Sequence, residues 1–370
     1  MVSIPLRVGL IGGSPRGSWG TTAHIPALQS LPRYAVTAVC TAHQATADET
    51  ARLFNIPHAL VDPIQLVQHA EVDIVAVNVR VPAHYELVMA AIDAGKHVFC
   101  EWPLAVDTTQ ARRLLAAAQE KGITHMIGLQ SRASPVLNYV RDLVQGGEIC
   151  ELVACSMLHS APWRTQTSRG MAYLQDNSTG ATFMSIPGGH SIDALRFSVG
   201  EIGDLSALVD TRVKTVTVTD PVSEAGRTIP RTSPDEIAVH GRLANGAVFS
   251  VHIQGGPGAG TGFRFEINGT KADLLITGSM TVQMADLTLH RTRHGGAMEK
   301  LDVPVRYRWA PPDSPAGQPF NVAQLYVKLA EAIDSGRAAQ PNFATAVEMH
   351  RLLDTIQQAS DSGQRQTFRI

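Results

Sequence analysis

The sequence predicts an α/β domain built on a parallel sheet, followed by an α+β domain with a large, mostly antiparallel open sheet. Three observations carry this reading. Over residues 1–130 short β-branched runs alternate with longer amphipathic stretches, the pattern of successive βαβ units. Beyond about residue 150 the chain changes to closely spaced β-rich segments broken by Asn-Gly pairs. After a proline-rich loop, helical periodicity returns in the last stretch of the chain.

In the first part, strands are expected at 6–12 (LRVGLIG), 35–41 (AVTAVCT), 74–79 (IVAVNV), 97–102 (HVFCEW) and 124–129 (THMIGL). Helices are expected at 47–55, 83–95 and 108–122, with apolar residues at i, i+3 and i+4; the last two stop on Gly95 and Gly122, as helices closed by a left-handed residue do. In the second part, strands are expected at 151–160, 205–213, 236–244, 247–253, 264–270 and 272–277, with hairpin turns at 244–246 (ANG) and 268–270 (NGT). WAPPDSPAGQP at 309–319 is a loop, and the two segments after it are helices. The expected division is 1–130, 131–320 and 321–370, the last being helices that return toward the first domain.

With 370 residues, 44% hydrophobic and 17% charged, the chain has the composition of a globular protein with a large core. Thirty-one Lys plus Arg against thirty-three Asp plus Glu give a formal charge of −2, so no bulk field favours nucleic acid or an anionic membrane. No basic stripe, helix-turn-helix pattern or zinc finger is present, and direct nucleic-acid binding is not expected. Cys40, Cys100, Cys150 and Cys155 form no CxxC pair, which suits a reducing compartment. No signal-peptide pattern opens the chain, and no apolar run has the length to span a bilayer: IVAVNVRV is interrupted by Asn78 and Arg80. A cytoplasmic protein without a membrane partner is expected. His290 and His294 are four apart but lie among arginines in a strand or loop, so no metal site is expected.

The segment VGLIGGSPRGSWGTTAHIPAL follows the first strand and opens a helix, which is where a dinucleotide-binding turn belongs. Small residues there let the backbone approach a pyrophosphate. The spacing departs from GxGxxG, because Gly12 and Gly13 come early and Gly17 and Gly20 follow a loop stretched by Ser14, Pro15 and Arg16. A tight strand-to-helix turn without a ligand is the alternative. The second strand ends in Cys40-Thr41-Ala42-His43, without the acidic residue that would bind a ribose 2′-hydroxyl. Thr41 and His43, with Ser14 and Arg16, suit a 2′-phosphate, so NADP or NADPH is expected in preference to NAD.

VRVPAHYELVMAAIDAGKHVFCEWPLAVD (79–107) resembles the best-known stretch of the glucose-fructose oxidoreductase, inositol dehydrogenase and MocA family. Residues 127–157, the PGGHSIDALRFSVG block at 187–200 and the closing helices resemble further segments of it. Gly17-Ser18-Trp19-Gly20, Glu101-Trp102-Pro103 and Gly-Leu-Gln-Ser-Arg at 128–132 are similar to the branch that includes the fungal galactose-responsive repressor. The resemblance implies a Rossmann domain first, then an α+β domain whose sheet is covered by helices on one face and makes a homodimer, or a homotetramer, through the other. It implies a cofactor set of Gly12, Gly13, Ser14, Arg16, Gly17, Trp19, Thr41, His43, Asn78, His84, Glu101, Trp102, Pro103 and Gln130, with a cis bond before Pro103.

In alcohol-oxidising members, the Lys of Glu-Lys-Pro and an Asp-x-x-x-His pair surround the reacting carbon. Here those positions hold Trp102 and Ile186, while His190 and Asp193 remain. The expected catalytic residues are His190, Asp193 and Tyr173, and the expected substrate residues Trp102, His159, Trp163, Arg164 and His190. Each has a plain structural alternative: Trp102 as core filling, His190 and Asp193 as helix-start groups, His84 as a cap, Arg164 as a surface cation. The expected activity is NADP(H)-dependent hydride transfer on a small carbonyl, alcohol or imine substrate. The other reading is a non-catalytic NADP-binding sensor or transcriptional co-regulator.

Overall fold

The computed structural model describes residues 4–161, 165–220, 225–255, 260–284 and 286–369. The chain forms two compact units, one from 1–133 with 308–347 and the other from 134–307 with 348–370.

The first unit begins with β1 (Leu6–Ile11), α1 (Ile25–Gln29), β2 (Tyr34–Cys40), α2 (Gln44–Phe54), β3 (His58–Leu60) and α3 (Pro63–Gln68). It continues through β4 (Ile74–Val77), α4 (His84–Asp93), β5 (His97–Glu101), α5 (Thr108–Lys121) and β6 (His125–Gly128). All six strands are parallel, in the order β3-β2-β1-β4-β5-β6. That order reverses direction between β1 and β4, which makes the mouth of the β1–β4 crevice the topological switch point where such sheets take ligands. β4 is buried at every position, as a strand covered on both faces must be.

The expected strands of this unit are found with ends moved by one or two residues. β3 and α3 go unannounced in the sequence, being only three and six residues long. Gly122 closes α5 with φ 67°, and Asp107 caps its start, its carboxylate accepting from the Gln110 N–H at 2.8 Å. The chain re-enters this unit as α8 (Gln318–Ser335), which packs on α1. Leu10, Ile25, Leu28, Phe99, Tyr326 and Leu329 share one buried core, each side chain contributing about 1.5–3 kcal/mol on burial.

The second unit opens with α6 (Pro135–Gln145), β7 (Leu152–Ser160), β8 (Gln166–Thr167) and α7 (Gly189–Val199). β9 (Ile202–Asp210), β10 (Thr215–Val218), β11 (Thr228–Pro230), β12 (Glu236–Leu243) and β13 (Val248–Gln254) follow. β14 (Gly262–Gly269), β15 (Ala272–Gly278), β16 (Thr288–Arg293) and β17 (Met298–Leu301) complete the run. α9 (Phe343–Ser362) enters this unit at Glu348, and β18 (Gln366–Thr367) is the last strand. The large sheet has nine strands in the order β17-β16-β15-β14-β7-β13-β12-β9-β18, and β7–β13 is its one parallel pair. β8, β10 and β11 make a small separate sheet.

The period of two divides the large sheet into faces. Phe249, Val251 and Ile253 are buried on one, while Val248, Ser250 and His252 lie on the other. The cross-strand row Leu208, Ala238, His252, Leu158 and Arg264 belongs to that second, mixed face, and Leu208 is 65% exposed.

The Asn245-Gly246 hairpin forms as expected, Gly246 at φ 90°. The second expected turn is displaced. Asn268 pairs with Asp273 and Gly269 with Leu152, so the reversal falls at Thr270-Lys271. Gly269 serves close approach here: a Cβ would lie 2.3 Å from the Ile149 carbonyl oxygen.

Candidate active site

β1 ends in Ile11, and the next residue cannot carry a side chain. Gly12 has φ 102°, and a Cβ on it would stand 2.5 Å from the carbonyl oxygen of Asn78 at the end of β4. Its N–H donates to Cys40 O at 3.0 Å, and Asn78 N–H donates to Ile11 O at 2.8 Å, so the ends of β1, β2 and β4 are stitched together around it. Gly13 accepts through its carbonyl from the Thr50 hydroxyl at 2.7 Å, fixing the loop to α2. The Ser14 carbonyl accepts from Ser18 Oγ at 2.8 Å and Thr21 Oγ1 at 3.0 Å, while Arg16 and Gly17 form an exposed tip. Trp19 follows, its ring against the core and its buried indole N–H without a protein acceptor. A π turn (Gly20–His24) then runs into α1.

Asn78 is the most informative side chain at this crevice. It is buried, and neither its amide nitrogen nor its amide oxygen has a hydrogen-bond partner. An unsatisfied buried amide costs about 1–3 kcal/mol per group, and a polar ligand recovers it. The cradle at Gly12, the exposed tip and this amide together fit a nucleotide, whose phosphates would lie over Gly12–Gly13 and the helix start. At the corner after β2, the Thr41 hydroxyl is engaged by His43 O at 2.9 Å and Thr46 Oγ1 at 2.6 Å. His43 is exposed in that turn, and Arg16 is exposed in the loop after β1.

The ends of β4, β5 and β6 are held by internal bonds. His84 is buried, with Nδ1 2.8 Å from Pro103 O and Nε2 3.0 Å from Val79 O; burial pushes its pKa below the ordinary imidazole value. Both ring nitrogens therefore face the chain's own backbone. Glu101 lies between His24 Nε2 at 2.8 Å and Gln130 Nε2, which donates to its other oxygen at 2.7 Å. His24 Nδ1 is 2.8 Å from the Tyr326 hydroxyl. Burial holds Tyr326 well above the usual phenol range, so the hydroxyl keeps its proton. Gln130 keeps one buried amide oxygen without a partner. Trp102 is 4% exposed, and the bond to Pro103 is cis.

Sequence reading did not single out His24, Thr50 or Tyr326. His24 sits in the visible loop-to-helix segment, but its partners are 77 and 302 residues away. No local pattern encodes such a pair.

In the second unit, His190 is the second residue of α7, buried, with Asp193 one turn on and fully buried. The π turn Met184–Gly188 leads into that helix and carries Ile186. His159, on β7, is fully buried beside them. Ser191 Oγ donates to Pro187 O at 2.8 Å, so it must accept from His159 Nδ1 at 2.7 Å. That chain fixes the tautomer: Nδ1 carries the proton, and Nε2 is a bare acceptor with no partner. Burial, then the nearby charge of His190, push the His159 pKa down to about 4. Tyr173 lies half-buried in a short 3₁₀ helix, Arg169–Gln175. Trp163 and Arg164 lie outside the described residues.

Residues 6–129 match the family described as "Oxidoreductase family, NAD-binding Rossmann fold". Residues 135–278 match the domain described as "Gal80p, C-terminal domain". The chain is 26% identical to dehydrogenase aclE of Aspergillus oryzae over 98% of both chains. It is equally 26% identical to the galactose/lactose metabolism regulatory protein GAL80 of Saccharomyces cerevisiae, over 74% of this chain and 67% of that one. In fold it is similar to levoglucosan dehydrogenase in complex with NADH and levoglucosan, with a TM-score of 0.85 and 22% identity over 98% of this chain and 99% of that one.

Proposed function

We propose, from the premise that this chain belongs to the glucose-fructose oxidoreductase, inositol dehydrogenase and MocA family in its Gal80-like branch, that it is an NADP(H)-dependent oxidoreductase acting on a small carbonyl, alcohol or imine. The observation that carries the reading is Asn78: a buried amide with both ends unsatisfied, against a glycine that admits no side chain, at the switch point of a parallel sheet. A bound nicotinamide nucleotide would supply the hydride chemistry. The residues that would hold it are Gly12, Gly13, Ser14, Arg16, Gly17, Trp19 and Asn78. Glu101, Trp102, Pro103, His84 and Gln130 shape the neighbouring strand ends, with Glu101 and His84 acting as positioning residues.

NADP in preference to NAD is supported by the absence of an acid after β2 and by the exposed His43 and Arg16. The relative solved with NADH makes the unphosphorylated nucleotide the necessary comparison. His190 is the proposed acid–base group, with Asp193 and Tyr173 from the same unit. In the second unit, His159, neutral and bare at Nε2, is a proposed acceptor for a hydroxyl or N–H of the substrate; in the first, Trp102 is a proposed flat apolar contact. Trp163 and Arg164 are further proposed substrate contacts.

A second reading, a nucleotide-dependent regulator without turnover, is favoured by Trp102 and Ile186. They replace with apolar groups two positions where oxidising relatives handle protons. Calorimetric titration with NADPH, NADP, NADH and NAD tests the binding step common to both. Saturable binding with NADPH ahead of NADH is expected. Absence of binding to any of the four would overturn both readings.

A further inference from the structure

A second group of convergent side chains lies on the first unit, away from the residues assigned above. His58 is on β3, the edge strand of the six-stranded sheet; His69 is the residue on which α3 ends, and Glu71 is in the turn that leads to β4. One candidate ligand atom from each of the three lies within 4.8 Å of the others. The two imidazole rings are 4.3 Å apart between centroids, tilted by 46°. His58 Nε2 donates to Glu71 Oε2 at 2.6 Å, and the Glu71 N–H donates to His69 Nδ1 at 3.2 Å. All three side chains are half-buried or exposed.

We propose that His58, His69 and Glu71 form a divalent transition-metal site of the zinc class, with its remaining positions open to water. Two neutral imidazole nitrogens and one carboxylate are a borderline donor set that such an ion prefers over Mg²⁺ or Ca²⁺, which ask for oxygen ligands. Donor atoms on a tetrahedral ion with bonds of about 2.1 Å lie about 3.4 Å apart, so rotations of about an ångström by accessible side chains close the site. Binding is an exchange: the neutral His58 ring moves its proton from Nε2 to Nδ1, and the freed Nε2 and Glu71 Oε2 turn from each other to the ion.

The surrounding cations are already committed. Arg7 is tied to Asp73 at 2.6 and 3.0 Å, and the Lys96 ammonium donates to Val72 O at 2.7 Å and His69 O at 3.2 Å. An ion here would tie the shortest strand of the six-stranded sheet, at its edge, to the turn before β4.

The test is titration of the full chain, dialysed against chelator, with Zn²⁺ alone, followed by Co²⁺ with its visible absorption recorded. One saturable Zn²⁺ site per chain is expected, weakened at least tenfold by His58→Ala and by His69→Ala. Co²⁺ should give visible bands that both variants lose, with thermal midpoints of the metal-free variants close to the parent's. Absence of a saturable site in the parent would overturn the proposal. Retention of full affinity in the double variant would overturn it as well, locating the ion at another histidine. Nucleotide binding is unaffected by either result, so the two proposals fail separately.

Discussion

At the scale of single residues, the molecule rests on a few atoms placed where no substitute fits. Gly12→Ala adds a methyl 2.5 Å from the Asn78 oxygen on a backbone with φ 102°. Positive φ for a non-glycine residue costs about 1–3 kcal/mol before the clash is relieved. We expect a lowered thermal midpoint and at least a tenfold loss of NADPH affinity, read by calorimetry. His159 gives a prediction in pH. Unfolded, the imidazole titrates near 6.5; folded, near 4. Between these values the unfolded chain binds one more proton, so stability rises with pH. The contribution is complete above about 6.5 and lost as pH falls toward 4, amounting to about 3 kcal/mol at most. Urea unfolding at pH 7, 5.5 and 4.5 should show this decline, and His159→Gln should flatten part of it. Gly12 and His159 were both legible in the sequence as residues of interest. The tautomer of His159 was not, since it depends on Ser191 and Pro187 folding back against β7.

At the scale of elements, the pattern of short apolar runs and amphipathic stretches located the five longer parallel strands of the first unit and the helices between β4 and β6. In the first unit, what it missed was short or non-local. β3 has three residues, and no periodicity can be counted over so few. The turn near residue 269 was displaced because Gly269 answers to the Ile149 carbonyl across the sheet, not to the local chain. The caps, by contrast, are local. Asp107→Ala removes the acceptor for the Gln110 N–H at the start of α5, and we expect a loss of about 1 kcal/mol in urea unfolding, recovered largely by Asn or Ser. The Glu101, His24 and Tyr326 chain joins β5, the π turn and α8. It was invisible because its members are far apart in sequence.

At the scale of the whole molecule, two units of different architecture share one chain, and among the described residues no helix is long and apolar enough to cross a membrane. The large sheet of the second unit leaves one face mixed in character, with Leu208 and Val248 exposed on it. We propose that this face pairs copies of the chain as a homodimer or homotetramer, because exposed apolar sheet surface favours pairing. Leu208→Arg should lower the oligomeric mass seen by light scattering without changing the circular dichroism spectrum. The general architecture and the nucleotide loop were readable from pattern. Whether the histidines of the second unit perform chemistry was not, because Trp102 and Ile186 depart from the residues that would have announced it. Anaerobic mixing of the NADPH-loaded protein with a panel of aldehydes, ketones, sugar lactones and imines, with nicotinamide absorbance followed in parent and His190→Ala, addresses that claim directly. Loss of absorbance with one substrate class, slowed at least a hundredfold in the variant, is the result expected. Tight nucleotide binding with no absorbance change across the panel would contradict an enzyme and make the protein a nucleotide-dependent regulator.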